Sequence, residues 1–245
     1  NGFDMDMDGV KIALPKLVSA VGHDKKSDLV AVKTDPFNVS LSTGEGKYGE
    51  MLGSQLATLG YETVELSGAG YKTYEPGTDL TTFVKGQNYW ELKDGMRIDF
   101  SMQYAGAREM AKAEVDQAYN LNPASVMGDT MQAMVLHGLE FSIDDNGFVD
   151  RAFNAYAAQT GQDPQQARSM AAGYMAMAPI FAMQVGVDTA LATEASTAVS
   201  SFITDPKTLT IKLAPAEPVA MSALAEMDDP SALTKDALGF TASNK

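Results

Sequence analysis

Met96-Arg97-Ile98-Asp99-Phe100-Ser101-Met102-Gln103-Tyr104 alternates apolar and polar residues without a break. A period of two puts Met96, Ile98, Phe100, Met102 and Tyr104 on one face and Arg97, Asp99, Ser101 and Gln103 on the other, which is an antiparallel strand with one wet face. Lys93-Asp94-Gly95 before it and Glu75-Pro76-Gly77 further upstream are turn sequences. Residues 61–74, 80–85, 87–92 and 96–104 therefore read as a meander.

Working outward, residues 10–14, 28–33 and 37–41 read as three separate strands bounded by Gly, Asp and Pro. Residues 51–59 have helical spacing and stop at Gly60. Downstream, a helix is expected over about 107–119, a strand over 131–143 and a helix over 148–159. Asp163-Pro164 reads as an N-cap followed by proline at the first helical position, opening a long helix to about 204 with a kink at Pro179. A strand over 207–213, short helices over 219–226 and 231–238, and residues 240–242 complete the chain. The class is α+β: a twisted antiparallel sheet packed against a long, kinked helix in the C-terminal half. One domain spans 1–245, with strands dominating 1–105 and helices 106–245. Two stretches, each following a helix, share a loose echo ("LGYETVELSGAGYKTYEPGTDLTTF" and "MVLHGLEFSIDDNGFVDRAF") that lacks the fixed period of a repeat.

The 245 residues carry 18 Lys and Arg against 32 Asp and Glu, a net charge of −14. Nucleic acid and anionic lipid surfaces both need a cationic footprint, so neither is an expected partner. Cysteine is absent, which removes disulfides, thiolate metal sites and cysteine nucleophiles. Only His23 and His137 remain for imidazole chemistry. His23 lies in a charged loop and His137 within an apolar strand, and no catalytic spacing can be built around either.

Gly44-Glu45-Gly46-Lys47-Tyr48-Gly49 matches the dinucleotide fingerprint G-x-G-x-x-G, with Glu65 placed where a ribose-binding acid would be. Three features oppose it. The preceding strand alternates with polar residues, Glu45 and Glu50 would face phosphates, and no further βαβ units follow. The motif reads as a flexible hairpin loop, and no cofactor is expected. Asp4-Met5-Asp6-Met7-Asp8-Gly9 copies the start of a calcium loop, but Pro15 stands where the bidentate Glu belongs. Asp4, Asp6 and Asp8 are thus weak metal candidates in what reads as an acidic turn. The carboxylates single out no catalytic pair, and no nucleophile elbow or Walker sequence is present.

Residues 169–187 form a stretch of 19 without a charge. Its Ala, Gly and Met composition and central Pro179 argue against a membrane span despite the length. A helix buried on most sides across a curved sheet is expected instead. Met170, Tyr174, Met177 and Phe181 recur at four, three and four, forming one stripe. Methionine, of which there are 15, fills irregular gaps and suits adaptable apolar surfaces. The candidate binding residues are therefore Phe100, Met102 and Phe141 on the sheet, facing Met170, Tyr174, Met177 and Phe181 on the helix.

The run from Leu59-Gly60-Tyr61-Glu62-Thr63-Val64-Glu65-Leu66 through Tyr74-Glu75-Pro76 to Met102 resembles strand-rich modules of bacterial envelope proteins. So do "LEFSIDDNGFVDRAF", "GQDPQQAR" and "FITDPKTLTIKLAPAEPVAM". Over about 55–243 the pattern is similar to α-proteobacterial envelope proteins and, more remotely, to tubular lipid-binding and AsmA-like architectures. The resemblance carries no catalytic motif. It implies a periplasmic or otherwise extracytoplasmic location, consistent with a signal peptide already removed ahead of Asn1.

The leading expectation is a non-catalytic protein that binds an apolar, lipid-like ligand or an apolar partner segment between sheet and helix. The alternative is a structural component assembling through strand pairing, as a homo- or hetero-oligomer. The third is an enzyme, nucleotide-dependent through the 44–49 glycines or a carboxylate hydrolase.

Overall fold

The computed structural model describes residues 2–117, 132–222 and 234–245. Among them, twelve strands form one sheet in which every pairing is antiparallel. They are β1 (Phe3–Met7), β2 (Val10–Leu14), β3 (Ser19–Asp24), β4 (Leu29–Thr43), β5 (Thr63–Glu75), β6 (Leu80–Phe83), β7 (Tyr89–Leu92), β8 (Met96–Ala105), β9 (Val135–Asp145), β10 (Thr208–Leu213), β11 (Val219–Ala220) and β12 (Thr241–Asn244). The order is β1-β2-β4-β5-β6-β8-β9-β10-β12. β3 continues the β2 row along β4, β7 continues the β6 row between β5 and β8, and β11 continues the β10 row along β9.

The helices are α1 (Lys47–Thr58), α2 (Ala107–Gln117), α3 (Phe148–Thr160), α4 (Pro164–Ala176), α5 (Ala178–Gln184), α6 (Thr189–Thr204) and the single turn α7 (Lys235–Leu238). The α+β class and the antiparallel meander stand. Three expected elements differ from the sequence reading, and β1 and β3 are strands it did not expect, β3 placing His23 on a strand paired with β4 rather than in a charged loop. Residues 28–33 and 37–41 belong to one long strand, β4, because Asp35-Pro36 falls in a register shift between Thr34 and Phe37. A bulge has no ladder hydrogen bond for proline to lose. Val219 and Ala220 pair with Leu136 and Val135 rather than opening a helix.

The third difference concerns the helix expected over 163–204, which is three helices. Asp163 caps α4, its Oδ1 accepting from the backbone N–H groups of Gln165 and Gln166. α4 and α5 join at Met177 with a bend of 32° over residues 164–184, and Pro179 sits harmlessly in the first turn of α5. Gly186, at φ 77°, then ends the bent pair, and Asp188 caps α6 by accepting from Ala190 N–H. Parts of the expected elements over 107–119, 131–143, 219–226 and 231–238 lie outside the described residues.

The core sits at the C-terminal end of the sheet. Ala198 and Phe202 of α6 pack on Leu209, with Ile143, Val149, Val199 and Ala242 around them. Asp188 and Glu194 of α6 also fasten the final segment. Asp188 accepts from Lys235 N–H at 2.5 Å, and Glu194 accepts from Ala242 N–H at 2.9 Å and from Lys235 Nζ at 2.5 Å. The backbone hydrogen bond from Lys235 holds the Asp188 carboxyl below its ordinary range. The Lys235 ammonium does the same to Glu194 and is itself raised by it.

Candidate functional site

Register carries the 96–104 alternation across the whole sheet. Phe100 lies opposite Phe141, Met102 opposite Leu139 and Ile98 opposite Ile143. Phe141 and Ile143 in turn face Ile211 and Leu209. In the other direction Ile98 pairs with Trp90, Trp90 with Gly68, and Gly68 with Phe37. Val39 and Leu41 continue the same side to Ile12 and Met5. One face is therefore apolar from β1 to β12. The other face carries Ser40, Glu65, Glu91, Arg97, Asp99, Glu140 and Lys212, as the period of two requires.

Among the described residues α6 roofs this apolar face over β9, β10 and β12, and α1 meets it at the other end, where Val10 is buried and a Cβ on Gly53 would touch the Thr43 side chain. Between these ends Thr81 and Leu136 are buried and most other positions half-buried, while Trp90 is 49% exposed with its ring edge-on to Phe37 at 5.4 Å. Among the described residues twelve apolar ones are fully buried, and six of them are alanines, so most of the large apolar side chains described are not fully buried. The accessible surface of 14560 Å² exceeds the roughly 10,600 Å² of a compact monomer of this mass. Among the described residues the half-exposed side chains of this apolar face contribute to that excess.

Phe100, Met102 and Phe141 lie together on this face, as expected. Met170, Tyr174, Met177 and Phe181 do not face them. All four are exposed, Tyr174 at 64% and Phe181 at 57%. α4 packs instead on α6 and α3 through its small residues. Ala167 and Ala172 are buried, and Ser200 of α6 donates to Ala172 O at 3.0 Å. Such close approach requires small side chains on that side of α4, which turns the bulky stripe outward. Together with Met175, Ile180, Met183 and Val185 it makes an exposed apolar elbow.

A helix does meet the open face elsewhere. α2 and the ends of β4, β5, β6 and β8 enclose an open cleft of ≈ 450 Å³. Val30, Val32, Tyr74 and Tyr104 form its floor, Ala107, Met110 and Ala111 its helical wall, and Lys72 and Arg108 its cationic rim. Arg108 is held by Nε donating to Tyr74 Oη at 2.9 Å and Nη2 donating to Pro76 O. The depressions that touch Met102 and Phe100 open on the opposite, polar face, one among Thr82, Ser101, Gln103 and Lys212 and the other among Asp99, Glu140 and Ser142. The cleft residues escaped the sequence reading. The available signal was Lys72, a charge at a position where the register of Val64 and Leu66 calls for an apolar side chain.

The glycine motif is structural in a way the hairpin reading does not capture. Asp8 and Gly9, at φ 49° and 87°, form the two-residue turn joining β1 to β2. This turn packs against the start of α1. Gly44 N–H donates to Gly9 O, Gly49 N–H to Asp8 O, and Lys47 N–H to Asp8 Oδ2 at 3.2 Å. The place where a pyrophosphate would meet the helix N-terminus is taken by the Asp8 carboxylate. Asp6 is likewise engaged, accepting from Gly9 N–H at 3.2 Å, and Asp4 lies on the edge strand β1. Among the described residues no three His, Asp or Glu side chains are grouped to hold a metal. His137 stands at a bulge between the pairs Gln103–Gly138 and Tyr104–Leu136. His23 bonds Asp28 at 2.7 Å on the surface. No helix among the described residues is long and apolar enough to cross a membrane.

No curated protein and no solved structure matches the chain. A family model with the description "Uncharacterized protein" matches residues 89–245. The match begins at the first residue of β7 and takes in the rest of the sheet, α2 and the α3–α6 layer. With well over half of its length matched, the chain belongs to that family.

Proposed function

We propose that this is a non-catalytic, extracytoplasmic binding protein that takes up an apolar, lipid-like ligand or an apolar partner segment on the open face of its sheet. The observation that carries the reading is the continuous apolar face from β1 to β12, whose middle the described residues leave half-exposed between α6 at one end and α1 at the other. Soluble monomers rarely leave such contiguous apolar surface without a binding role. Covering it would release water at about 25 cal/mol per Å² of apolar area, before ordering costs. The periplasmic location belongs to the same proposal and is supported by the sequence resemblance and the absence of cysteine. Native mass spectrometry of protein purified from its source, before and after organic extraction, tests the binding. An extra mass lost on extraction supports the proposal; a bare chain mass in both spectra contradicts it.

Assembly is the second reading, and the elbow of α4 and α5 favours it more than the sheet edges do. β1 and β12, the ends of the strand order, are 5 and 4 residues long, and β1 carries Asp4 and Asp6. Short, charged edges discourage strand addition. The elbow, by contrast, offers a charge-free surface to a protein partner.

A further inference from the structure

We infer that the α2 cleft takes a single-chain amphiphile with an anionic head, held at Lys72 and Arg108 while its chain lies on Val30, Val32, Tyr74 and Tyr104. The inference rests on the reading of the open face as a ligand surface and gives that ligand a chemical class.

Size is the first argument. A cleft of ≈ 450 Å³ lies within the range of about 300–1,000 Å³ usual for small-molecule sites, which are mostly apolar with a few placed polar groups. Charge is the second. Among the described residues no Asp or Glu lines the cleft, and two cations do. Neither Lys72 nor Arg108 is in an ion pair among the described residues. Lys72 occupies a position on the apolar face, its Nζ 5.8 Å from the centre of the Phe83 ring. Asp79 is the carboxylate tied into the surroundings, and it is engaged: Tyr74 Oη donates to it at 2.9 Å and Arg108 N–H at 3.3 Å.

Preorganisation is the third argument. The bonds from Nε to Tyr74 Oη and from Nη2 to Pro76 O fix the Arg108 guanidinium without neutralising it. A fixed guanidinium beside a mobile ammonium suits a carboxylate or phosphate head. The net charge of −14 on the whole chain repels anions from other surfaces, so such a head is held at the cleft that these two cations line.

Isothermal titration of the full chain with decanoate and with 1-decanol tests this. Decanoate is expected to bind at least ten-fold tighter than decanol. Lys72→Met, at an exposed position, is expected to erase that difference and leave decanol unchanged. Ala111→Trp, which fills the cleft from α2, is expected to bring decanoate binding down to that of decanol. Equal affinity for the two probes, or decanoate binding unaffected by Lys72→Met or Ala111→Trp, overturns the inference while the apolar reading stands. Failure of the wild-type chain to bind either probe overturns both.

Discussion

The side-chain amide of Asn88 makes both hydrogen bonds that a strand residue opposite Tyr71 would make. Its Oδ1 accepts from Tyr71 N–H at 2.8 Å, and its Nδ2 donates to Tyr71 O at 3.1 Å. Asn88 sits in the gap between β6 and β7, where the row beside β5 has no backbone partner for Tyr71 other than the N–H of Val84. A third bond, Nδ2 to Val84 O at 2.8 Å, ties it to the Lys85-Gly86 turn, and its own carbonyl accepts from Phe100 N–H. At 1% exposure it is the most buried large side chain among the described residues. It lets two short strands act as one row across the middle of the open face.

Asn88→Ala is therefore expected to cost about 2–3 kcal/mol, because Tyr71 N–H would stay buried without an acceptor. Asn88→Asp should cost a similar amount, since a carboxylate cannot donate to Tyr71 O and Val84 O. Urea unfolding of both variants checks this; wild-type midpoints would show that the amide is not needed to join the row.

Gly49→Ala should be among the most damaging single-methyl changes in the chain. A Cβ there would run into the backbone oxygens of Gly44 and Gly9, and backbone cannot swing aside. A loss of about 3 kcal/mol or more is expected in thermal or urea unfolding. The same packing, with Asp8 on the start of α1, predicts no thermal shift of the wild-type chain with ATP or NAD. A clear shift would return the 44–49 glycines to the role of a phosphate loop.

The elbow and the core should respond oppositely to substitution. Met177→Ser with Phe181→Ser is expected to leave the unfolding midpoint within about 0.5 kcal/mol of wild type, because both side chains are already in water. The pair should also weaken Nile red binding. Phe202→Ala, in the packed cluster under α6, is expected to cost about 3–5 kcal/mol. Equal destabilisation by the two changes would show that the elbow is covered within the chain.

The clasp from α6 to the C-terminal segment gives a pH dependence of definite sign. Asp188 and Glu194 are both held below their ordinary values by groups they accept from. Their contribution is present above the unfolded carboxylate range of about 4 and is lost as pH falls through the lower folded values. Lys235, raised by Glu194, stays charged throughout this window. Amide protection factors in β12 should fall below about pH 4 more than those in β5, and Glu194→Gln should remove part of that difference. Parallel pH profiles for the two strands would contradict the clasp.

The meander was legible because a period of two is written directly in residues 96–104, and register then fixes the faces of every neighbour. β4 was harder. Asp35-Pro36 reads as a stop, and only pairing with β5 shows that a bulge absorbs it. The stripe of Met170, Tyr174, Met177 and Phe181 falls on two helices that meet at Met177 rather than on one, and its members are all exposed, because periodicity does not say which way a face points. Alanine decided that: Ala167 and Ala172 permit the close approach to α6, and bulk is excluded from the contact by size rather than by polarity. Phe100, Met102 and Phe141 were found together because strand alternation and pairing are local rules. The α2 cleft was not found, since Val30, Lys72, Tyr104 and Arg108 meet only after four strands are paired.

Trp90 permits the most direct test of the central claim. It is the single tryptophan of the chain, and it stands half exposed on the open apolar face beside Phe37. Its emission and acrylamide quenching should be followed while 1-decanol is titrated into the purified chain. The account predicts a saturable blue shift with falling quenching, as ligand displaces water from the face. Emission and quenching that stay unchanged up to the solubility limit of the probe would contradict a ligand-binding sheet.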